Sequence, residues 1–503
     1  MERNTGMSEY WNSGMMGEKP RIRRLPDHEA TMKRSNFKFL NFFVALCLCA
    51  LAFLSGCTTY DAQVREVRNH YLAGNYEAAQ QITAKEVESS GDTGTDALIW
   101  QLENAAILRT AGKFPESSLA FEQARTLYTK LLDEAKLKIV RGGAAMLSTP
   151  ANLPYYGTGY DGIMIDTYQT LNALQLGKLD EARVNITRSY LLQQEIIQAY
   201  AERIEKEKAE IAKDANTQRS MERNKGLTDQ TDTSPFDNEL NAYSDYVNPF
   251  AVYLDGLYHL TQALDASDVE RARKSLERAS AFAPNNQTVS NDLAIASSAV
   301  SLPKIQPAVY VLFETGMAPS LDQIRIDIPI IITAVSYVGV SFPKLHFHPE
   351  GIPYLLVQAP ENTTLKTERV VSMDAVVTRE FKNNLASILA KAIASAVAKT
   401  IAATAANLAA EQANNEWVTL ATRISTAAYQ LATNVADTRS WQTLPKEIQV
   451  ARIEMPKERI VHLSTPDGLW RQDVTLIPGE VVVLYVKSPL SASTLSIHQF
   501  KLK

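Results

Sequence analysis

Two alternating histidines are the residues of this chain whose types and spacing come closest to a site for chemistry. His346 and His348 lie in the segment HFHPE, and Glu350 follows two residues later. On a strand, alternate side chains point to the same face, so both imidazoles would lie together near one carboxylate. Two histidines and a carboxylate can hold a metal ion. Such groups at the end of a strand are more often exposed to solvent, however, and we assign no metal and no cofactor.

The sequence contains none of the common catalytic motifs. It has no G-x-S-x-G, no H-E-x-x-H and no P-loop, since Gly157-Thr158-Gly159 has neither the required lysine nor a preceding strand. The three cysteines are Cys47, Cys49 and Cys57. No thiol nucleophile or cysteine metal cluster is therefore available after position 57. We expect a protein that is not an enzyme.

A glycine-rich loop carries the residues that we name as a candidate partner-binding loop. The segment LPYYGTGYDG, residues 153–162, contains Tyr155, Tyr156, Tyr160 and Asp161. Tyrosines on such a loop can stack on a sugar or clamp a partner. They more often fasten the loop to the adjacent helix, and the sequence leaves both roles open.

Residues 1–56 predict an N-terminal extension and a signal peptide. Residues 39–54, FLNFFVALCLCALAFL, carry no charge and are slightly short for a bilayer span. The basic residues Lys33, Arg34 and Lys38 precede this run, and Met32 is an alternative start to Met1. The run ends in Leu54-Ser55-Gly56-Cys57, which resembles the lipobox of bacterial lipoproteins. In that family the peptide is cleaved before the cysteine, and the cysteine carries fatty acyl chains.

The lipobox resemblance implies that Cys57 is the first residue of the mature protein and its lipidation site. Two or three acyl chains anchor a protein stably, and Thr58 in place of an aspartate favours the outer membrane. Eight basic and five acidic residues precede Cys57, which leaves 43 against 51 and a formal net charge of -8. Because this charge suits neither nucleic acid nor anionic lipid, the acyl chains should hold the membrane.

Residues 57–302 predict a helical domain built from degenerate repeats. Gly74, Gly112 and Gly177 each begin a turn that is followed by a bulky residue and then by an alanine. Glycine permits the turn and alanine lets antiparallel helices approach, which resembles the tetratricopeptide repeat. Stacked repeats present an extended surface that binds peptides or helices, although a packing domain without a ligand is an alternative. The polar stretch 225–248 predicts a mobile insert.

After residue 302 the pattern changes. Runs of β-branched and aromatic residues predict one β domain in two parts, residues 303–373 and 441–503, on either side of an Ala-rich helical insert, residues 374–440. The fold class expected is α+β, with a tetratricopeptide-like solenoid followed by a small β-sandwich-like domain that the insert interrupts.

The Ala-rich insert carries an apolar stripe of one residue in four, namely Leu389, Ile393, Val397 and Ile401. Lys391 and Lys399 interrupt it, so it is not a simple transmembrane span. We expect a core hairpin packed on the sheet. The alternative is a helix that self-associates in a ring or lies on the membrane.

Three segments together resemble a family of uncharacterised proteobacterial lipoproteins with tetratricopeptide-like helices. The segments are YYGTGYDGIMIDTYQTLNALQLGKLDEARVNITRS, FETGMAP followed by IRIDIPI, and ADTRSWQTLPKEIQVARIEMP. The resemblance implies a location in the cell envelope and transfers no activity. In the last segment we interpret Asp437 and Arg439 as a buried ion pair beside a packed Trp441, rather than as catalytic groups.

These features predict a non-enzymatic, periplasm-facing outer-membrane lipoprotein that acts as a protein-protein interaction scaffold. The expected partners are the membrane, through the N-terminal lipid, an unidentified envelope protein and a further copy of the chain, with no nucleic acid. Two alternatives stay open. One is an activator of peptidoglycan synthesis, by analogy with other repeat-bearing lipoproteins. The other is a carbohydrate or cell-wall hydrolase, which would need two carboxyls in a cleft beside the tyrosine loop.

Overall fold

The computed structural model describes residues 60–141, 150–212, 247–299, 302–332, 335–359, 364–412 and 415–503. The lipobox residues Leu54, Ser55, Gly56 and Cys57 lie outside these ranges, and so do residues 225–246 of the predicted insert. Val247 and Asn248, the last two residues of that insert, are buried, and the Asn248 side chain caps the next helix. The last two residues of the predicted mobile insert are therefore part of the folded protein, and Asn248 caps the helix that begins at Pro249.

Helices form the first half of the described chain. They are α1 (Tyr60–Leu72), α2 (Tyr76–Ser90), α3 (Ala97–Thr110), α4 (Phe114–Arg141), α5 (Gly159–Gln175), α6 (Leu179–Ile211), α7 (Pro249–Thr261), α8 (Ala266–Phe282) and α9 (Gln287–Ser298). Helices α1 and α2, α3 and α4, α5 and α6, and α7 and α8 pack together in pairs, each joined by a short turn.

The three predicted glycine turns share one geometry. Gly74, Gly112 and Gly177 all have positive φ, between 71° and 76°. In each turn the amide after the glycine donates to the carbonyl five residues earlier: Asn75 to His70 at 2.8 Å, Lys113 to Leu108 at 2.9 Å and Lys178 to Ala173 at 2.8 Å. This Schellman pattern ends a helix with its last carbonyls satisfied. The alanines after the turns, Ala79, Ala124 and Ala182, are fully buried where the helices approach.

The second half of the described chain is built from strands with a helical hairpin between them. The strands are β1 (Ala308–Thr315), β2 (Ser320–Ile332), β3 (Val335–His346), β4 (Leu356–Gln358), β5 (Thr364–Lys366), β6 (Glu368–Ser372), β7 (Glu447–Glu454), β8 (Ile460–Ser464), β9 (Arg471–Thr475), β10 (Val481–Ser488) and β11 (Ser496–Lys501). The helices between β6 and β7 are α10 (Met373–Gln412) and α11 (Glu416–Thr433). This mixture of helices and sheets confirms the α+β class at the coarse level.

Strands from both sides of the helical hairpin share sheets. One sheet has the order β11-β10-β1-β7-β6, and β1 runs parallel to β10 and antiparallel to β7. A second sheet has the order β5-β4-β8-β9, and β2 and β3 form a two-stranded sheet. Every residue of β1 and β10 is buried, as their continuous apolar runs require.

The five-stranded sheet is covered on both faces. On one face Val311, Phe313 and Leu484 pack against Val357 and Leu463 of the four-stranded sheet. The opposite face joins a large apolar cluster with the helices. The described chain is thus layered as helices, five-stranded sheet and four-stranded sheet.

The helical side of this cluster is formed by α3, α5 and α7, which alternate along the chain with the outer helices. All residues of α3 and α7 are buried, and so are residues 159–174 of α5. Asp292 of α9 joins helix to sheet, since it accepts from Tyr253 of α7 at 2.9 Å and from Tyr310 of β1 at 2.8 Å. The inner face of the helices, which the sequence analysis predicted as a partner-binding surface, is therefore covered by the protein's own five-stranded sheet.

Candidate functional site

The candidate partner-binding loop is folded into the protein. Tyr155 and Tyr160 are each 6% exposed, and Asp161 is fully buried. The Tyr155 hydroxyl donates to Asp161 at 2.6 Å, and Asp161 and Thr158 form a capping box at the start of α5. Tyr156 alone of the four named residues is partly exposed. Of the two roles that the sequence left open, this geometry favours fastening of the loop, because the Tyr155 and Asp161 side chains bond to each other at the start of α5 and Tyr160 is buried.

Residues far along the chain complete this junction. Glu380 of α10 accepts hydrogen bonds from the backbone amides of Gly159 at 2.7 Å and Tyr160 at 3.1 Å, where the positive end of the α5 dipole favours a carboxylate. Arg439 pairs with Asp437 at 2.6 Å and with Asp96 at 2.8 Å. The motif that suggested a buried ion pair thus lies directly against the tyrosine loop.

Trp441 and Glu103 extend the junction into the core. Trp441 is 1% exposed and packs against Tyr168, with ring centroids 5.8 Å apart. The Glu103 carboxylate is fully buried and accepts from the amides of Gln442 at 2.6 Å and Thr443 at 3.2 Å. Burial raises the pKa of Glu103 to about 7. The Glu103 carboxylate is bonded to backbone amides, and Trp441 packs against the Tyr168 ring. These contacts hold α3 and α5 against the segment that contains Trp441.

The histidine pair lies at the end of the β2–β3 hairpin. The rings of His346 and His348 are 5.0 Å apart; His346 pairs with Asp322 at 3.0 Å, and His348 contacts the Ser320 hydroxyl at 3.1 Å. Burial, together with the charge of His346, lowers the pKa of His348 to about 4. Glu350 is exposed. Within the described ranges no cluster of three or more His, Cys, Asp or Glu residues could hold a metal ion.

An open cleft of about 380 Å³ lies between the α8–α9 turn and the β6 edge of the five-stranded sheet. Two carboxylates line it, and each has a partner. Glu447 pairs with Arg369 at 3.3 Å, and Glu368 accepts from the amide of Gln287 at 2.6 Å. Glu447 therefore links β7 to the edge strand β6, and Glu368 links β6 to the start of α9.

A buried charge cluster, which was not predicted from the sequence, lies between the helices and the five-stranded sheet. Lys487 of β10 and Glu314 of β1 are paired in register and form an ion pair of 2.8 Å, and Tyr485 also bonds to Glu314. The Lys487 ammonium lies over the rings of Tyr71 and Tyr168, at 5.8 and 5.6 Å. Burial alone would lower the pKa of Lys487. Glu314 and the neighbouring Tyr168, Tyr71 and Tyr485 together outweigh burial and raise that pKa well above its usual value. The sequence did contain an indication of this pair, because each of the otherwise apolar runs that form β1 and β10 carries one charged residue.

The Ala-rich helix is a core element only along its first part. Leu389, Ile393 and Val397 of the predicted stripe are at most 4% exposed and pack in the main cluster, as expected for a core hairpin. Ile401, one turn further, is 46% exposed. Among the described residues α10 is the one helix long and apolar enough to cross a membrane. However, 61% of its apolar 18-residue segment is buried in the protein.

The distal half of the α10–α11 hairpin exposes apolar side chains, which we call the hairpin patch. Trp417 is 74% exposed, close to the turn between the helices. The other members are Ile401 at 46%, Leu408 at 55%, Val418 at 36%, Leu420 at 50% and Ile424 at 56%. A surface tryptophan among exposed isoleucine and leucine marks an interaction surface more often than a neutral one.

Helix α11 turns its polar face inward. Thr419 donates to the Ala410 carbonyl of α10 at 3.2 Å, and Thr426 contacts the Asn407 side chain at 3.3 Å. Trp417, Leu420 and Ile424 follow the i, i+3, i+7 spacing of one face. At 3.6 residues per turn this face lies opposite the two threonines. An amphipathic helix that packs within its own domain has its apolar face inward. Because α11 has its apolar face outward, it is suited to contact with another molecule.

We compared the chain with known proteins. No protein-family model, no curated protein and no solved structure matches it. The function is therefore argued from the residues of the chain itself.

Proposed function

We propose that this chain is a non-enzymatic lipoprotein, anchored to the outer membrane through acylated Cys57 and facing the periplasm, that acts as an interaction scaffold. The hairpin patch is its protein-protein contact surface. The observation that carries the proposal is the inverted polarity of α11, with threonines packed against α10 and Trp417, Leu420 and Ile424 in solvent.

The sequence around Cys57 supports the anchor. A basic segment, an apolar run and Leu54-Ser55-Gly56-Cys57 follow one another in the order of a lipoprotein signal. The chain that begins at Cys57 carries no other cysteine. A tethered protein meets its partners in the plane of the membrane, where the effective concentration of a second tethered protein is high.

We propose further that α1 to α9 are degenerate tetratricopeptide-like repeats. Three Schellman turns of the same geometry, each followed by a buried alanine, support this assignment. Since the five-stranded sheet covers the inner face of these helices, a partner should bind elsewhere, and the hairpin patch is the surface we assign to it.

Labelling with radioactive palmitate tests the anchor. Wild-type protein should incorporate the label and fractionate with the outer membrane, whereas Cys57→Ala should lose both properties. Cys49→Ala is the matched control and should keep both, because its cysteine lies in the cleaved segment. An unmodified sulfur at position 57, or an intact leader on the purified chain, would contradict the anchor.

A site-specific photocrosslinker tests the contact surface. The crosslinking residue is placed in living cells at Leu420, which is 50% exposed on α11, or at Leu264, which is 75% exposed at the α7–α8 turn. We expect discrete crosslinked products from position 420 and none from position 264. If position 420 gives no product, the hairpin patch is not a contact surface.

A further inference from the structure

The composition of the hairpin patch differs from that of helices that lie on a membrane surface. Between residues 400 and 433 the only charged residues are Glu411, Glu416 and Arg423. Glu411 and Arg423 form an ion pair of 2.7 Å across the hairpin, and the two side chains are 45% and 58% exposed. Helices that lie on a membrane carry several basic residues on their polar face, whereas α11 has one arginine and packs its polar face inward.

The length of the hairpin also argues against insertion. The part of α10 after Lys399 has thirteen residues, Thr400–Gln412, and at 1.5 Å per residue it extends about 20 Å, short of the about 30 Å of a hydrocarbon core. The tip carries Asn415 and Glu416, and the Asn415 side chain is committed to capping α11 at 3.0 Å. A polar tip of this kind would have to enter the bilayer first.

We propose that the hairpin patch binds a second copy of this chain, so that two α10–α11 hairpins pair side by side into a four-helix bundle. This inference rests on the proposed function in taking the hairpin patch as the contact surface. It names the occupant of that surface and is independent of the lipid anchor.

The surface suits a symmetric contact. In a two-fold pairing each patch meets itself, so its apolar centre is matched and an exposed Glu411–Arg423 pair can face the oppositely oriented pair of the other copy. Exposed alanines on α10 let helix backbones approach closely. These alanines are Ala402, Ala405, Ala406 and Ala409.

The area is sufficient for a stable dimer. With about 200 Å² for a tryptophan and about 100 Å² for an aliphatic side chain, the exposed fractions give about 400 Å² of apolar surface per copy. Mutual burial then removes about 800 Å² of apolar surface, and at the two-thirds apolar share of homodimer interfaces the whole contact is about 1,200 Å². That value lies at the lower edge of the range for specific interfaces.

The test uses the full-length lipidated protein in detergent and in membranes. Because Cys57 would be acylated and no cysteine follows it, Ile424→Cys introduces one free thiol on the hairpin patch. Leu469→Cys, at a site 88% exposed on the β8–β9 turn, is the matched control. Mild oxidation should link Ile424→Cys chains into covalent dimers and leave Leu469→Cys monomeric.

Light scattering on the detergent-solubilised protein gives the equilibrium. We expect a dimer for the wild type, and Trp417→Ser should raise its dissociation constant about thirtyfold, as for truncation of an interface hot spot. Leu264→Ser, also an exposed apolar position, should leave it unchanged. Circular dichroism of each variant confirms that the fold is retained.

The outcomes separate this inference from the anchor. A palmitate-labelled protein that stays monomeric, with no Ile424→Cys dimer, overturns self-association while the anchor stands. A dimer without label overturns the anchor while self-association stands. A monomer whose Cys at 424 is protected from a water-soluble maleimide in phosphatidylcholine vesicles assigns the patch to lipid and overturns the inference.

Discussion

Replacing Lys487 by methionine should destabilise the protein far more than removing a surface charge. Lys487 and Glu314 lie at paired positions on β10 and β1, their charged atoms are 2.8 Å apart, and their side chains are 6% and 0% exposed. Methionine keeps most of the aliphatic volume, so the main effect is to leave the Glu314 carboxylate in the interior without its cation. Breaking a buried pair in this way costs about 3–5 kcal/mol of unfolding free energy.

Urea unfolding followed by circular dichroism measures this loss. The double variant Lys487→Met with Glu314→Gln removes both charges and keeps an acceptor for the Tyr485 hydroxyl, so it should recover at least half of the stability. Lys178→Met, in the exposed Lys178–Glu181 pair of 3.0 Å, is the control and should cost less than about 0.5 kcal/mol. A Lys487→Met loss below about 1 kcal/mol, or a double variant no more stable than the single one, would refute the reasoning.

Two further predictions concern the junction and the turns. Burial raises the pKa of Glu103 from 4.5 to about 7, so the folded state holds more protons between these values and stability should fall by up to about 3 kcal/mol as pH rises across that window. Glu103→Gln should flatten this dependence, as measured by urea unfolding at pH 4.5 and 7.5; an unchanged slope would rule out Glu103 as its source. Gly112→Ala should cost about 1 kcal/mol more than Gly177→Ala, because both turns have positive φ but a Cβ at Gly112 would lie 2.9 Å from the His498 ring. Equal midpoints in thermal unfolding would show that His498 moves aside freely.

Features that depend on local sequence were predictable. The turns at Gly74, Gly112 and Gly177 follow from the freedom of glycine at positive φ, which needs no tertiary contact. The runs that form β1 and β10 are almost entirely apolar, as expected of strands buried on both faces, and each has one charged residue near its end. Each of these signals lies within about ten residues of the chain.

The role of the tyrosine loop was not readable in this way. Its burial depends on Glu380 and Arg439, which lie more than 200 residues later in the sequence. The covering of the inner helical face by the sheet is non-local for the same reason.

The hairpin patch was predictable from the sequence only in part. The i, i+3, i+7 spacing of Trp417, Leu420 and Ile424 was visible in the sequence, and it predicts an amphipathic helix. Which face of that helix meets α10 is decided by the threonine contacts of the packed hairpin. An apolar stripe alone indicates a core position, so its exposure had to come from the structure.

The interleaving of the five-stranded sheet constrains the order in which this protein can mature. Strand β1 begins at Ala308, but its neighbours β7 and β10 begin at Glu447 and Val481, nearer the end of the chain. Until those residues are synthesised, α3, α5 and α7 lack the cover of the five-stranded sheet, and the incomplete chain exposes apolar surface. A truncation that removes β10 should therefore yield a species degraded by quality-control proteases, even though it retains helices α1 to α11. If the chain is exported as we propose, a holding chaperone should bind it until its last strands are available.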